Sequence, residues 1–229
     1  MSRYKYLLWD LDGTLLDFAA AEKTAIKTLF KKYEFGDCSD EMIAGYSKIN
    51  RKYWEALERN EIEKPRVLVG RFEDFFAQEG LDPLKAHAFN SDYQLALGDT
   101  IVFCDDSFEI VSELKGKYIQ CGITNGTKIA QDKKLSASGF DKLLDYIFIS
   151  EELGYEKPNK GFFDAVIKET GITDLSEALV IGDSLTSDIK GGNDYGIDTC
   201  WYNPTGKAKK IPEHTTYEIR DLHEIYELI

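Results

Sequence analysis

Short apolar runs that stop at polar, turn-forming residues alternate with helix-period segments, and this alternation limits the fold more than any other feature. The runs lie at residues 6–9, 118–124, 146–150, 178–182 and 199–202. Between the last four, the spacing predicts helices at 128–138, 160–170 and 186–195, with one more at 106–115. Strand and helix taken in turn give a parallel sheet with helices on both faces, an α/β, Rossmann-like doubly wound core. In such sheets ligands gather outside the carboxyl ends of the strands.

The stretch after the first run reads differently. Segments 19–33, 40–60, 64–79 and 83–97 have helical period, broken by Gly36, Gly80 and short polar turns, with no convincing strand among them. The expected organisation is a core of residues 1–17 and 96–229 carrying an all-helical cap at 18–95. Residues 204–210 read as a basic solvated loop.

Composition restricts the partners. With 41 acidic against 28 basic side chains the net charge is −13, which excludes a coat for nucleic-acid polymers or anionic membrane, since both need clustered cations. An anionic ligand would therefore need a local positive field. At 43% hydrophobic and 13% aromatic residues a packed core is well supplied. No apolar stretch approaches the length of a membrane span, and the start of the chain lacks a signal-peptide pattern. Cys38, Cys104, Cys121 and Cys200 form no C-x-x-C pair, and three lie in apolar, strand-like stretches. They are expected as free thiols in a reducing cytoplasm.

Four motifs follow the apolar runs. In Asp10-Leu11-Asp12-Gly13-Thr14 two carboxylates two residues apart leave a strand end on the same side, where they can converge. Their repulsion calls for a cation or a shared proton, and a hard divalent ion such as Mg²⁺ prefers such oxygen ligands. Gly13 permits the sharp turn that presents backbone amides to an anion. Thr124-Asn125-Gly126 offers a hydroxyl and an amide at a strand-to-helix junction, although Asn-Gly is also a common turn. Lys157-Pro158 puts an ammonium on a loop. In Gly182-Asp183-Ser184-Leu185-Thr186-Ser187-Asp188 the first aspartate can reach a metal at the first motif, and Asp188 can cap the helix or support the site from behind. Gly191-Gly192 allows close packing. Three carboxylates, a lysine, a threonine and free amides at neighbouring strand ends suit metal-assisted phosphoryl transfer through an aspartyl intermediate.

The four motifs, in this order, resemble the haloacid dehalogenase superfamily of phosphatases over essentially the whole chain. The resemblance implies that Asp10 attacks phosphorus and that Asp12 acts as general acid, then base. It implies Mg²⁺ held by Asp10, the Asp12 carbonyl and Asp183, with Asp188 as the supporting carboxylate. It also implies a phosphoryl group bound by Thr124, the Asn125 amide and Lys157, and a helical cap over the substrate. Asp12 sets the chain apart from the dehalogenases of the superfamily, which have no acid there. Gly70-Arg71-Phe72-Glu73, Ser150-Glu151-Glu152, Asp188-Ile189-Lys190-Gly191-Gly192, the run 196–204 and Tyr217-Glu218-Ile219-Arg220 are similar to the pyrimidine 5′-nucleotidase branch.

The substrate implied is a small phosphomonoester, a pyrimidine nucleoside monophosphate. Phe18, Tyr46, Tyr53, Trp54, Phe72, Phe75 and Phe76 are expected chiefly as helix–helix core, with base stacking as the other role. Alternatives are a sugar-phosphate phosphatase or phosphomutase, for which no second phosphate site is evident, and a phospho-acceptor switch, which would be about half this length. Oligomeric state is left open between monomer and weak dimer.

Overall fold

The computed structural model describes residues 3–206 and 214–229, so positions 207–210 of the expected basic loop lie outside the described residues. The chain begins with β1 (Tyr6–Asp10) and continues through α1 (Phe18–Lys32), α2 (Asp40–Glu58), α3 (Lys64–Glu79) and α4 (Ala86–Ala96). Then follow α5 (Ser107–Leu114), β2 (Ile119–Thr124), α6 (Lys128–Ser138), β3 (Tyr146–Ile149), α7 (Ser150–Leu153) and α8 (Lys160–Thr170). The last elements are β4 (Ala178–Gly182), α9 (Lys190–Tyr195), β5 (Asp198–Tyr202), β6 (Tyr217–Ile219) and α10 (Ile225–Leu228). Two compact units result, one of residues 1–18 with 101–229 and the other of Ala19–Thr100.

In the first unit six parallel strands lie in the order β3-β2-β1-β4-β5-β6. The chain reverses its direction of travel between β1 and β4, which is where doubly wound sheets open a crevice for ligands. Both faces of the sheet are covered, which is why its strands read as unbroken apolar runs. From β1, Leu7 and Trp9 join one cluster with Leu179, Ile181, Ile110 and Leu114. Leu8 points the other way, among Cys121, Ile123, Val180, Phe162 and Val166. The glycine pair packs as expected, since a Cβ on Gly191 would meet Phe163 at 2.6 Å and one on Gly192 would meet Thr199 at 2.5 Å.

Three features differ from the sequence reading. The strand β6 pairs with β5 through only three residues, too short a run to register as a strand. The helix expected over 186–195 is split: residues 185–189 form a π-helical turn, with the amides of Asp188 and Ile189 both donating to the Ser184 carbonyl at 3.1 Å, and α9 begins at Lys190. All four cysteines are free, Cys121 and Cys200 buried on strands, whereas Cys104 lies in the loop before α5 rather than on a strand.

The second unit is built from helices packed on aromatic faces. Ser39 caps α2 by accepting from the Met42 amide, and Gly80 ends α3 in a left-handed conformation (φ 69°). Phe30, Tyr46, Phe72, Phe75, Phe76, Phe89 and Tyr93 are fully buried between the helices. Tyr46 and Phe72 stack at 4.9 Å, so of the aromatics considered for base stacking Tyr46, Phe72, Phe75 and Phe76 are core, while Tyr53 and Trp54 are half-buried. A buried polar chain runs through this core. Ser47 and Asn50 donate to the Glu22 carboxylate, and Arg71 donates to Asn50 Oδ1 at 2.7 Å and Asn90 Oδ1 at 3.3 Å. Burial raises the Glu22 carboxyl above its ordinary range, against the pull of Ser47 and Arg71.

Candidate active site

All four motifs reach the carboxyl edge of the sheet, around the point where the strand order reverses. Asp10 is the last residue of β1, Thr124 the last of β2, and Asp183 follows β4 directly. Lys157 arrives on the loop before α8 and is 1% exposed. Its ammonium donates to Asp10 Oδ1 at 2.8 Å, Asp188 Oδ1 at 2.7 Å and the Ile123 carbonyl at 2.7 Å. Its three donors thus tie the ends of β1 and β2 to the turn after β4. The Thr14 hydroxyl donates to the other Asp10 oxygen at 3.1 Å.

Asp10, Asp183 and Asp188 offer carboxylate oxygens within 4.8 Å of one another. Asp10 and Asp188 are buried, while Asp183 is exposed to solvent. The Asp10 carboxyl is raised well above its ordinary range by burial first and by Asp188 second, with Lys157 opposing. Asp183 is raised by its protein surroundings and then by Asp188. For Lys157 burial pulls the ammonium down, but the two facing carboxylates more than offset this and raise it. Three carboxylates against one ammonium leave a deficit of positive charge, and an all-oxygen, solvent-reachable donor set of this kind fits a hard divalent cation.

Glycines make room for the cluster. Gly13 has φ +100°, and a Cβ there would sit 2.8 Å from Asp183 Oδ2. A Cβ on Gly182 would sit 2.4 Å from the Asp188 carboxyl carbon. The Gly13 amide, expected to face an anion, donates to the Leu16 carbonyl at 2.8 Å and so braces its own loop. Asp188 stands in the π-helical turn rather than a regular first turn, and accepts from the Ser184 amide at 3.1 Å as well as from Lys157.

Asp10 and Asp12 have different partners. The partners crowding Asp10 come from the turn after β4, whereas the Asp12 carboxylate is held by Gln131 Nε2 and Lys134 Nζ, each at 2.6 Å. Neither residue belongs to a motif; both lie on α6, and only the helical phase of 128–138 would have put them on one face. Thr124 is buried with its hydroxyl oxygen accepting from the Gly126 amide at 3.0 Å. The Asn125 side chain bonds reciprocally with the Lys157 backbone, donating to its carbonyl at 2.8 Å and accepting from its amide at 2.7 Å. A residue considered for its amide therefore also locks the loop that carries Lys157.

Comparison with known proteins shows the family. The sequence profile of haloacid dehalogenase-like hydrolases matches residues 7–202. HAD-hydrolase YfnB of Bacillus subtilis is 36% identical over 100% of this chain and 97% of its own. Its magnesium-bound crystal structure superposes with a TM-score of 0.91, covering 99% of both chains. Pyrimidine 5′-nucleotidase PynA of Streptococcus pneumoniae is 34% identical over 99% of this chain and 95% of its own. Pyrimidine 5′-nucleotidase YjjG of Escherichia coli is 27% identical, over 99% and 98%.

Proposed function

This chain belongs to the haloacid dehalogenase-like hydrolase family and is a phosphatase, and from that premise we propose that it is a Mg²⁺-dependent 5′-nucleotidase acting on pyrimidine nucleoside monophosphates through an aspartyl phosphate on Asp10. The observation that carries the chemistry is Asp10 itself: a buried carboxylate, paired with Lys157, in one loop with a second carboxylate, Asp12. The pyrimidine assignment rests on the two nucleotidases resembling it over nearly their full length.

Asp10, Asp183 and the Asp12 carbonyl would hold the Mg²⁺, with Asp188 supporting behind them. When bound, the ion supplies positive charge to the phosphoryl oxygens. Lys157 keeps Asp10 oriented and adds its own charge beside the incoming phosphate. Thr124 and the Asn125 amide orient the phosphoryl group. The Asp10 carboxylate forms a bond to phosphorus as the ester bond to the alcohol breaks, and Asp12 gives its proton to the departing oxygen. Asp12 then takes a proton from water, which attacks the aspartyl phosphate and releases inorganic phosphate and free Asp10. The helical unit serves as the family's cap domain, and four free thiols support a cytoplasmic setting.

A phosphate-release screen over nucleoside monophosphates and sugar phosphates, with and without EDTA, tests the reading. Release from uridine and thymidine monophosphates, lost on chelation and in Asp10→Asn, is expected. Strong preference for a hexose phosphate overturns the nucleotide assignment, and turnover in folded Asp10→Asn removes Asp10 as nucleophile.

A further inference from the structure

Lys134 is 2% exposed, and no motif accounts for it. Taking an ammonium out of water costs several kcal/mol unless a counter-charge and hydrogen bonds offset it. Its ion pair is with Asp12 Oδ1, and its ammonium also lies 5.1 Å from the centre of the Phe18 ring. Three residues earlier on the same face of α6, Gln131 is 1% exposed and donates to Asp12 Oδ2. The fit at Gln131 is close, because a Cβ on Gly126 would lie 2.1 Å from its Nε2. One donor on each oxygen fixes the plane of the carboxylate, while each oxygen keeps a second lone-pair direction for a proton in flight. Asp10 has a wholly separate set of donors, Lys157 and Thr14. The two carboxylates of the D-x-D loop are thus each held by a buried lysine of their own.

We propose that Lys134 and Gln131 are positioning residues for the phosphatase reaction, holding the Asp12 carboxylate in place for proton transfer to the leaving oxygen. This rests on the reading of Asp12 as the general acid. A buried pair that merely fastened α6 to the loop would affect all substrates alike, whereas a positioning role depends on how much the leaving group needs a proton. p-Nitrophenolate departs readily as an anion; phenolate from phenyl phosphate departs with more difficulty.

The test measures single-turnover release from phenyl phosphate and p-nitrophenyl phosphate for the wild type, Asp12→Asn, Lys134→Met, Gln131→Met and Lys134→Arg. Circular dichroism monitors the fold and calorimetry the affinity for Mg²⁺. General acids contribute about 10²–10⁴-fold, so Lys134→Met is expected to lose ~10-fold or more on phenyl phosphate beyond its loss on p-nitrophenyl phosphate. Gln131→Met shows the same pattern more weakly, Lys134→Arg recovers most of the rate, and Mg²⁺ affinity is retained. Equal losses on both esters, or full activity in Lys134→Met while Asp12→Asn is impaired, overturn this proposal alone. If Asp12→Asn itself has no leaving-group dependence, the general-acid reading fails and the proposal falls with it. Should Lys134→Met not fold, Gln131→Met and Lys134→Arg decide by the same comparison.

Discussion

Replacing Lys157 by Met keeps most of the buried stem and removes one charge from the middle of a carboxylate cluster. The ammonium is 1% exposed and gives three hydrogen bonds of 2.7–2.8 Å, two of them to Asp10 and Asp188. Breaking a buried pair by deleting one partner costs about 3–5 kcal/mol, and at about 2–4 °C per kcal/mol the Tm should fall by roughly 6–20 °C in the absence of divalent ions. Mg²⁺ should narrow the gap. With Lys157 gone, the ion no longer competes with an ammonium for the carboxylates, and a ligand at 100 times its Kd adds about 2.7 kcal/mol. The assay is thermal unfolding by circular dichroism, with EDTA and across a Mg²⁺ titration. Asp188→Asn in the Lys157→Met background should restore part of the loss, because it removes one of the stranded charges, giving a coupling of about 1 kcal/mol or more. A loss below about 1 kcal/mol with EDTA, the scale of an exposed ion pair, would refute the reasoning. So would a Mg²⁺-induced rise in Tm no larger than that of the wild type.

Two further perturbations test other parts of the molecule. Gly13→Ala places a Cβ 2.8 Å from Asp183 Oδ2 at φ +100°, so it should cost about 1–3 kcal/mol in backbone strain and weaken Mg²⁺ binding in calorimetry; unchanged affinity would show that the added Cβ does not displace Asp183 from the cation site. Arg71→Met leaves the buried Glu22 carboxylate without its nearby cation and should destabilise the helical unit by about 3 kcal/mol near neutral pH. The Glu22 carboxyl is already raised above its usual value of 4.5, so the folded form binds the proton more tightly than the unfolded form. Stability should therefore fall as pH rises from that value through the raised one of the folded form, and the Arg71→Met penalty should be smaller near pH 4 than at pH 7 in urea titrations. A penalty independent of pH would assign the loss to packing alone.

Much of this molecule is determined by local pattern. Unbroken apolar runs specify strands buried on both faces, and the polar residues that end them mark the sheet edge where Asp10, Thr124 and Asp183 stand. Short-range spacing also marks Lys157, because Pro158 interrupts any regular element around it. The excess of negative charge was no guide to the ligand, since Asp10, Asp183 and Asp188 concentrate part of it in one cluster and Lys157 supplies a positive charge locally. Tertiary structure alone decided who faces whom. Residues 2 apart in the D-x-D loop take different partners, because Lys157 approaches Asp10 from one loop while Lys134 and Gln131 approach Asp12 from α6. Asp188 enters the cluster through a π-helical turn, which no 3.6-residue pattern reveals. Neither of those lysines lies within 100 residues of its aspartate in the chain, and a local sequence pattern extends only over a few turns of helix or one strand. Charge pairing across that separation is a property of the packed sheet, set by strand order and helix phase once the core has formed.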